Sequence, residues 1–524
     1  MQSTDIKSLS DDPRHLKALL LDQENQLELK EKQLTAKDLE IKLLQEQLNL
    51  ALHHRFGKTS EKHPGQHELF DEPEDVLEQE IDLTDKVSDN ADIIEAPAHS
   101  RKTRGRKALP EHLPRVEVIH DLDEADRVCD HDGHVLHKIG EEVSEQLEII
   151  PAQIRVVRNI RIKYGCRACE TGVKTAAMPT QLIPKSMATS GLLAYVAVSK
   201  YADALPLYRQ EQMFKRIGVD ISRATLAFWM VHVGKVLGPV IALLEQALLS
   251  GDVIHMDETP VQVLNEPNRK PESQSYMWVR MGGNTDHPIV LFDYDPSRSS
   301  EVPLRLLDGF EGHLMTDAYA GYGAVTKHAI TGIGCWAHAR RKFMEAVKVQ
   351  GKSKITGKAQ LVLSEIQKLY AIERQIAEKP VDERLAIRQA RAGPILDKMK
   401  IWLDKSLHQV PPKSALGKAL HYLANEWPRL IHYVGDGRLP IDNNPCENAI
   451  RPFVIGRKNW LFSHSQAGAE ASANIYSIIE TAKRSGHEPW HYLNYLLEKL
   501  PTTNEADLEK LLPHKLSPIT FEKE

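Results

Sequence analysis

The chemistry of this chain is concentrated in three acids: Asp257 in "VIHMDET", Asp317 in "HLMTDAY" and Glu447 in "DNNPCENAIR". Asp257 and Asp317 each close an apolar run of strand type, a position from which a side chain can leave a sheet and enter a site. Either alone could equally begin a turn. Glu447 lies in a segment, 439–462, crowded with Asn, Arg, Lys and Trp. There Asp442 or Asn443 can cap a helix that carries Glu447 and Arg451 on one face. A structural ion pair explains those two residues but not the density around them. Three carboxylates suit hard cations that demand oxygen ligands, Mg2+ or Mn2+. Two such ions, about 4 Å apart, can activate an attacking oxygen and stabilise the leaving 3′-oxygen of a phosphodiester. Asp257, expected at the middle of a sheet, is the expected bridge between them.

Elements must bring these acids together. After Gly251 three β-rich runs, "DVIHMDETPVQVL", "SYMWVRM" and "PIVLFDYD", are followed by a short helical stretch at 301–308 and a fourth strand before Asp317. That order matches the start of an RNase H-like α/β sheet. Residues 181–250 read as helical, with a turn at Gly218 and a new helix capped by Ser222. A helix-turn-helix there would put Ser222, Arg223 and Thr225 near base edges, although helix pairs with a glycine turn are common.

Upstream, residues 10–56 contain no Gly, and no Pro after Pro13, and predict one long helix. Leu20, Leu27, Leu34, Ile41 and Leu48 recur every seventh position, the period that keeps a seam facing a partner helix. A homo-oligomer is expected, with docking on the chain itself as the alternative. Residues 57–110 read as a charged linker: acids cluster in "DEPEDVLEQE" and bases in "RKTRGRK". Arg104 and Arg106 in that basic run suit a DNA minor groove or simply a solvated surface. Residues 111–180 hold the β-like pieces "VEVIH" and "IRVVRNIRIKYGC" and a Cys166-x-x-Cys169 pair. With Cys129 and Asp132 (or a nearby His) this makes a ribbon for one structural Zn2+, or a ribbon held by apolar contacts alone.

At 524 residues the chain is expected to be multidomain and α+β. Its net charge of -6 argues against general polyanion binding, so any DNA contact must be local. No apolar run reaches the ~20 residues of a membrane span, and five cysteines cannot form a disulfide scaffold. The expectation is a cytoplasmic protein with no membrane partner.

Across nearly its whole length the chain resembles the insertion sequence sixty-six family of bacterial transposases. The strings that carry the resemblance include "RFGKTSEK", "EQLEIIPAQIRVVRNIRIKYGCRAC", "KYADALPLYRQEQMF", "HMDETPVQVL", "TDAYAGY", "GCWAHARRKF" and "DNNPCENAIRPFVIGRKNWLF". The resemblance implies the order zipper (10–56), linker (57–110), zinc ribbon (111–180), helical DNA-binding region (181–250), RNase H-like core (251–344 and 436–465) and C-terminal helical tail (466–524). A helical insertion, 345–435, divides the core. It implies a DDE transposase acting on terminal inverted repeats and target DNA, with Asp257, Asp317 and Glu447 as its triad. Accessory proteins of the same element and association with the nucleoid are further expectations. The family usually has a cysteine where Asp132 stands, which puts zinc affinity in question. "GCWAHARRKF" resembles a Cys-x-x-His signature: Cys335 and His338 either cap a turn or touch the DNA end. Arg340 and Arg341, with Arg451, Arg457 and Lys458 downstream, are the expected phosphate contacts. A transposase-derived DNA-binding regulator without catalysis, or a nuclease on the same core, are the alternatives.

Overall fold

The computed structural model describes residues 13–56, 154–165, 173–178, 180–284, 287–327, 329–350 and 357–519. They belong to two units, residues 154–178 to one and the remainder to the other. Arg104, Arg106, Cys129, Asp132, Cys166 and Cys169 lie outside the described residues, as does the "VEVIH" piece.

In the smaller unit β1 (Lys163–Gly165) pairs antiparallel with β2 (Val173–Thr175), and Arg161 donates to the Ala176 carbonyl at 2.7 Å. The sequence predicts a longer strand. Residues 154–162 instead pair with no strand among the described residues, and Val156 is 94% exposed. Branched residues favour a strand only where a partner and a face to bury exist.

The larger unit begins with α1 (Pro13–Phe56), the single helix expected from its lack of breakers. Its heptad column is solvent-facing, from Leu20 at 61% to Ile41 at 53% exposed. Four helices follow: α2 (Ser190–Tyr201), α3 (Leu207–Arg216), α4 (Arg223–Val236) and α5 (Gly238–Leu249). Gly218 turns the chain between α3 and α4 at φ +81°, and the Ser222 hydroxyl accepts from the Thr225 N–H at 3.2 Å, as the sequence predicts.

A mixed sheet comes next. Its order is β5 (His287–Asp295), β4 (Gln274–Asn284), β3 (Val253–Asn265), β6 (Gly312–Thr316), β7 (Ile330–Gly334). The first three strands are antiparallel, while β6 runs parallel to β3 and β7 parallel to β6. Helix α6 (Glu301–Leu306) connects β5 to β6, the helix and fourth strand expected. After α7 (Trp336–Gln350) come the helices of the insertion, α8 (Lys358–Ile376), α9 (Val381–Ile387), α10 (Gly393–Leu407) and α11 (Ala415–Leu430). The chain then returns through α12 (Asn444–Trp460), β8 (Ser463–Ser465), α13 (Gln466–Arg484) and α14 (Pro489–Lys499).

Two apolar cores hold this unit. One joins α2–α5, the sheet and α12–α14; the other joins β6, β7 and α7 to the insertion. Residues 181–250 and 466–499 therefore share a core with the sheet. Helix α13 is buried along most of its length. It also covers the free edge of β5: the Ser477 hydroxyl accepts from the Phe292 N–H at 2.8 Å, and Thr481 both accepts from and donates to Val290. Hydroxyls replace a missing strand there and close the edge. On its other side α13 meets α4 so closely that a Cβ at Gly234 would lie 2.5 Å from Ala471. No helix among the described residues is long and apolar enough alone to cross a membrane.

Arg280, 1% exposed, ties four elements together. It forks onto Asp293 of β5 at 3.0 and 3.1 Å, pairs with Glu245 of α5 at 2.7 Å and donates to the Leu306 carbonyl at 2.6 Å. Arg280→Ala leaves those acids without their buried cation and should cost about 3–5 kcal/mol in urea unfolding. A loss under about 1 kcal/mol would contradict this account.

Candidate active site

Asp257 does not end its strand, as the sequence suggests, but sits within β3. The strand changes partners at this level. Pairing with β6 runs through Ile254 with Leu314 and His255 with Met315, and the same flank of β3 is next paired where Val263 meets Ser463 of β8. Continued by two residues, the β6 register sets Asp257 beside Asp317, at the point where β6 has ended. Neighbouring strands lie about 4.8 Å apart, so the two carboxylates open into the same gap. Glu447 enters it from the first turn of α12, which packs on β3 and β4.

The electrostatics carry the convergence. Burial first, then the charge of Glu258, then those of Glu447 and Asp317, push the Asp257 carboxyl up to about 7. Hydrogen bonds from the Glu258 N–H to Asp257 and from the Tyr319 N–H to Asp317, both 2.9 Å, orient each aspartate locally. Glu447 has His338 Nδ1 at 3.6 Å and Arg341 at 3.4 Å. Its Oε1 is buried without a hydrogen-bond partner, as is the facing His338 Nδ1. An orphaned carboxylate oxygen beside two further acids is the donor set that a hard cation satisfies. Cys335, His338 and Glu447 also lie within 4.8 Å of one another. Burial pushes the Cys335 thiol up to about 12 and the His338 imidazole down, the Glu447 charge opposing the latter.

The basic residues divide. His338 and Arg341, expected at DNA, turn toward Glu447. Arg457 reaches Thr259 of β3 at 3.1 Å, two residues beyond Asp257, and Arg451 follows Glu447 by one turn of α12. Arg340 is half-buried, and Lys458 is exposed at the end of α12. Arg223 begins α4 in solvent, with Arg209, Lys215 and Arg216 exposed on α3.

Several contributors lie outside the sequence reading. Glu258, next to Asp257, accepts from Tyr322 and pairs with Arg298 at 2.5 Å; Arg298 stacks on Tyr319 at 3.9 Å. "DAYAGY" supplies both tyrosines, and their aromatic spacing after the aspartate was the available signal. From the insertion, Arg429 donates to Thr316 at 2.7 Å and pairs with Glu426 at 2.9 Å, while Tyr370 donates to Asp442 at 2.7 Å. Nothing local in the sequence marks these.

A carboxyl raised to about 7 holds a proton in the fold that the unfolded chain releases near 4. Its stabilising effect is present at low pH and is lost as pH rises toward 7. In EDTA the protein should therefore lose stability between about pH 4 and 7 and level off above that. Asp257→Asn should remove that part of the slope and be about 1–3 kcal/mol more stable than wild type at pH 8. Parallel pH profiles for the two proteins would refute the shared pocket.

Comparison with known proteins agrees with these features. The profile of the transposase IS66 family matches residues 185–471, and that of the zinc-finger binding domain of transposase IS66 matches 126–170, which spans Cys129, Asp132, Cys166 and Cys169. Residues 43–118 match "transposase C of IS166 homeodomain" and 477–514 the IS66 C-terminal element. In Sinorhizobium fredii the uncharacterized protein y4jD is 35% identical over 439 residues, 80% of this chain and 84% of its own length. Another, y4qI, is 34% identical over 433 residues, 80% of this chain and 78% of its own length. With the matched region covering the sheet, its insertion and all three acids, the chain belongs to the IS66 transposase family.

Proposed function

We propose that the chain is a DDE-type DNA transposase on an RNase H-like core, with Asp257, Asp317 and Glu447 holding two divalent ions, Mg2+ or Mn2+. The observation that supports this reading is that the β3–β6 register sets Asp257 beside Asp317, while Glu447 stands in the first turn of the helix packed on β3 and β4. The RNase H-like assignment rests on three antiparallel strands followed by two parallel ones. When bound, the ions supply Lewis acidity to the phosphodiester and to its attacking oxygen.

The chain's own groups do the remainder. Arg340, Arg341, Arg451, Arg457 and Lys458 line the approach and hold phosphates, and Arg341 also stands 3.4 Å from the Glu447 carboxylate. Arg223, with the exposed bases of α3, grips the terminal repeat. Water attacks the phosphodiester at the element's end and frees a 3′-hydroxyl. That oxygen then bonds to a target phosphorus as the target's own P–O3′ bond breaks, so no covalent protein–DNA intermediate forms. Cys129, Asp132, Cys166 and Cys169 hold one structural Zn2+. Partners are terminal and target DNA, accessory proteins of the same element, and further copies of the chain through the α1 column. The protein works in the bacterial cytoplasm at the nucleoid.

Asp257→Ala, Asp317→Ala and Glu447→Ala should each lower 3′-end cleavage and strand transfer by at least ~10^3-fold, with binding to the element's end within about threefold of wild type. Retained activity would leave a binding-only regulator as the better reading. Cleavage by the wild-type protein without joining of a supplied 3′-hydroxyl duplex would leave a nuclease. Leu27→Glu with Leu34→Glu should shift the protein to monomer in light scattering and abolish pairing of two ends. Binding of one end should persist.

A further inference from the structure

The residue at the start of the Glu447 helix does not cap it. Asn443 stands at the cap position of α12, with φ -93° and ψ 10°, yet its side chain makes no capping hydrogen bond. It is 1% exposed, and the side chain turns to β3 instead. Its Oδ1 accepts from His255 Nδ1 at 2.8 Å, and its Nδ2 donates to the Met256 carbonyl at 3.0 Å. Those are the two residues before Asp257. The backbone is committed as well: the Asn443 N–H donates to Cys335 Sγ at 3.2 Å, and its carbonyl accepts from the N–H of Cys446 at 3.0 Å and of Glu447 at 3.1 Å.

One buried side chain therefore grips the strand that delivers Asp257, while the same residue's carbonyl receives the N–H of Glu447. The third attachment, through Cys335, adds the turn between β7 and α7 that carries His338 and Arg341. Asparagine suits the role because its short amide presents a donor and an acceptor together. An ionised Asp could accept from His255 but not donate to Met256, and a Ser or Thr hydroxyl would have to make both bonds from one oxygen, whereas the amide places donor and acceptor on separate atoms.

We infer that Asn443 is a positioning residue: it fixes the separation of Asp257 and Glu447, and thereby the affinity of the acid cluster for divalent ions. The inference rests on the reading of that cluster as a metal site. Groups that orient ligands typically contribute 10–100-fold to metal affinity or activity, and a misplacement near 1 Å can cost ~10^2-fold in rate.

The test uses the full chain and Mn2+ as probe, with free Mn2+ read by electron paramagnetic resonance. Mg2+-dependent cleavage of a duplex carrying the element's own end is measured alongside. Asn443→Ala should weaken Mn2+ binding about tenfold or more and raise the half-saturating Mg2+ concentration by a similar factor, with end binding within about threefold. A purely structural role would lower the melting temperature while leaving the Mn2+ affinity of folded protein unchanged; that result overturns the inference. Should Asn443→Ala fail to fold, Asn443→Gln keeps both amide functions on a longer arm. It should show the same shift, and unchanged affinity there overturns the inference equally. Asp257→Ala separates the two levels. If it still binds Mn2+ and cleaves like wild type, the metal-site reading falls and the inference with it. If it loses both while the Asn443 variants lose neither, only the inference falls.

Discussion

The crowding of half-buried acids around Asp257, whose own burial most opposes its ionisation, is the constraint on which this structure turns. Asp257 is held where burial and the charges of Glu258, Glu447 and Asp317 all oppose its ionisation. Left alone, such a cluster would relax by moving one acid into water. It persists because each acid is tied to a different rigid element, and each element is anchored away from the cluster. Asp257 belongs to the central strand, Asp317 follows a strand paired on both sides, and Glu447 starts a helix packed across two strands. The proposed metal site rests on this crowding, because acids that oppose one another's ionisation favour a shared cation.

The rigidity is built from opposite charges and closed edges. Arg280 gathers Asp293 and Glu245 behind the sheet, so β4, β5 and α5 cannot slide. Helix α13 satisfies the β5 edge with Ser477 and Thr481, and α4 closes on α13 at Gly234. The helices that present Arg223 are thus packed into the same core as the sheet. The exposed bases of α3 and α4 are thereby held in fixed relation to the acids.

Much of this was legible in the sequence because local patterns encode it. The breaker-free run of α1, the Gly218 turn with its Ser222 cap, and the order of three strands, a helix and a fourth strand all follow from period and turn chemistry. Asp257, Asp317 and Glu447 stood out by their neighbours. What the sequence left hidden is long-range. It put Asp257 at a strand end, because the apolar run stops there, whereas β3 continues to Asn265 by pairing with β4 and β8. It offered Asp442 or Asn443 as the cap; Asp442 accepts from the Asn444 N–H, and nothing in a helix period reveals the bond from Asn443 to Met256. It left His338 between a turn cap and a DNA contact and set Arg341 in a basic cluster, with nothing local to show that both lie beside Glu447.

The insertion follows the same logic. A long segment between Asp317 and Glu447 looks like an interruption that the core merely tolerates. Its helices, however, supply Arg429 to Thr316, beside Asp317, and Tyr370 to Asp442, beside the start of the Glu447 helix. Arg388, 2% exposed, pairs with Glu373 and donates to the carbonyls of Tyr433 and Asp436, fixing the return strand of chain that leads to α12. The insertion therefore braces the end of β6 next to Asp317 and the turn that leads to Glu447. Its length serves to carry the chain from Asp317 to Glu447 through a second apolar core, so that the last acid arrives on a support as stiff as the sheet that holds the first.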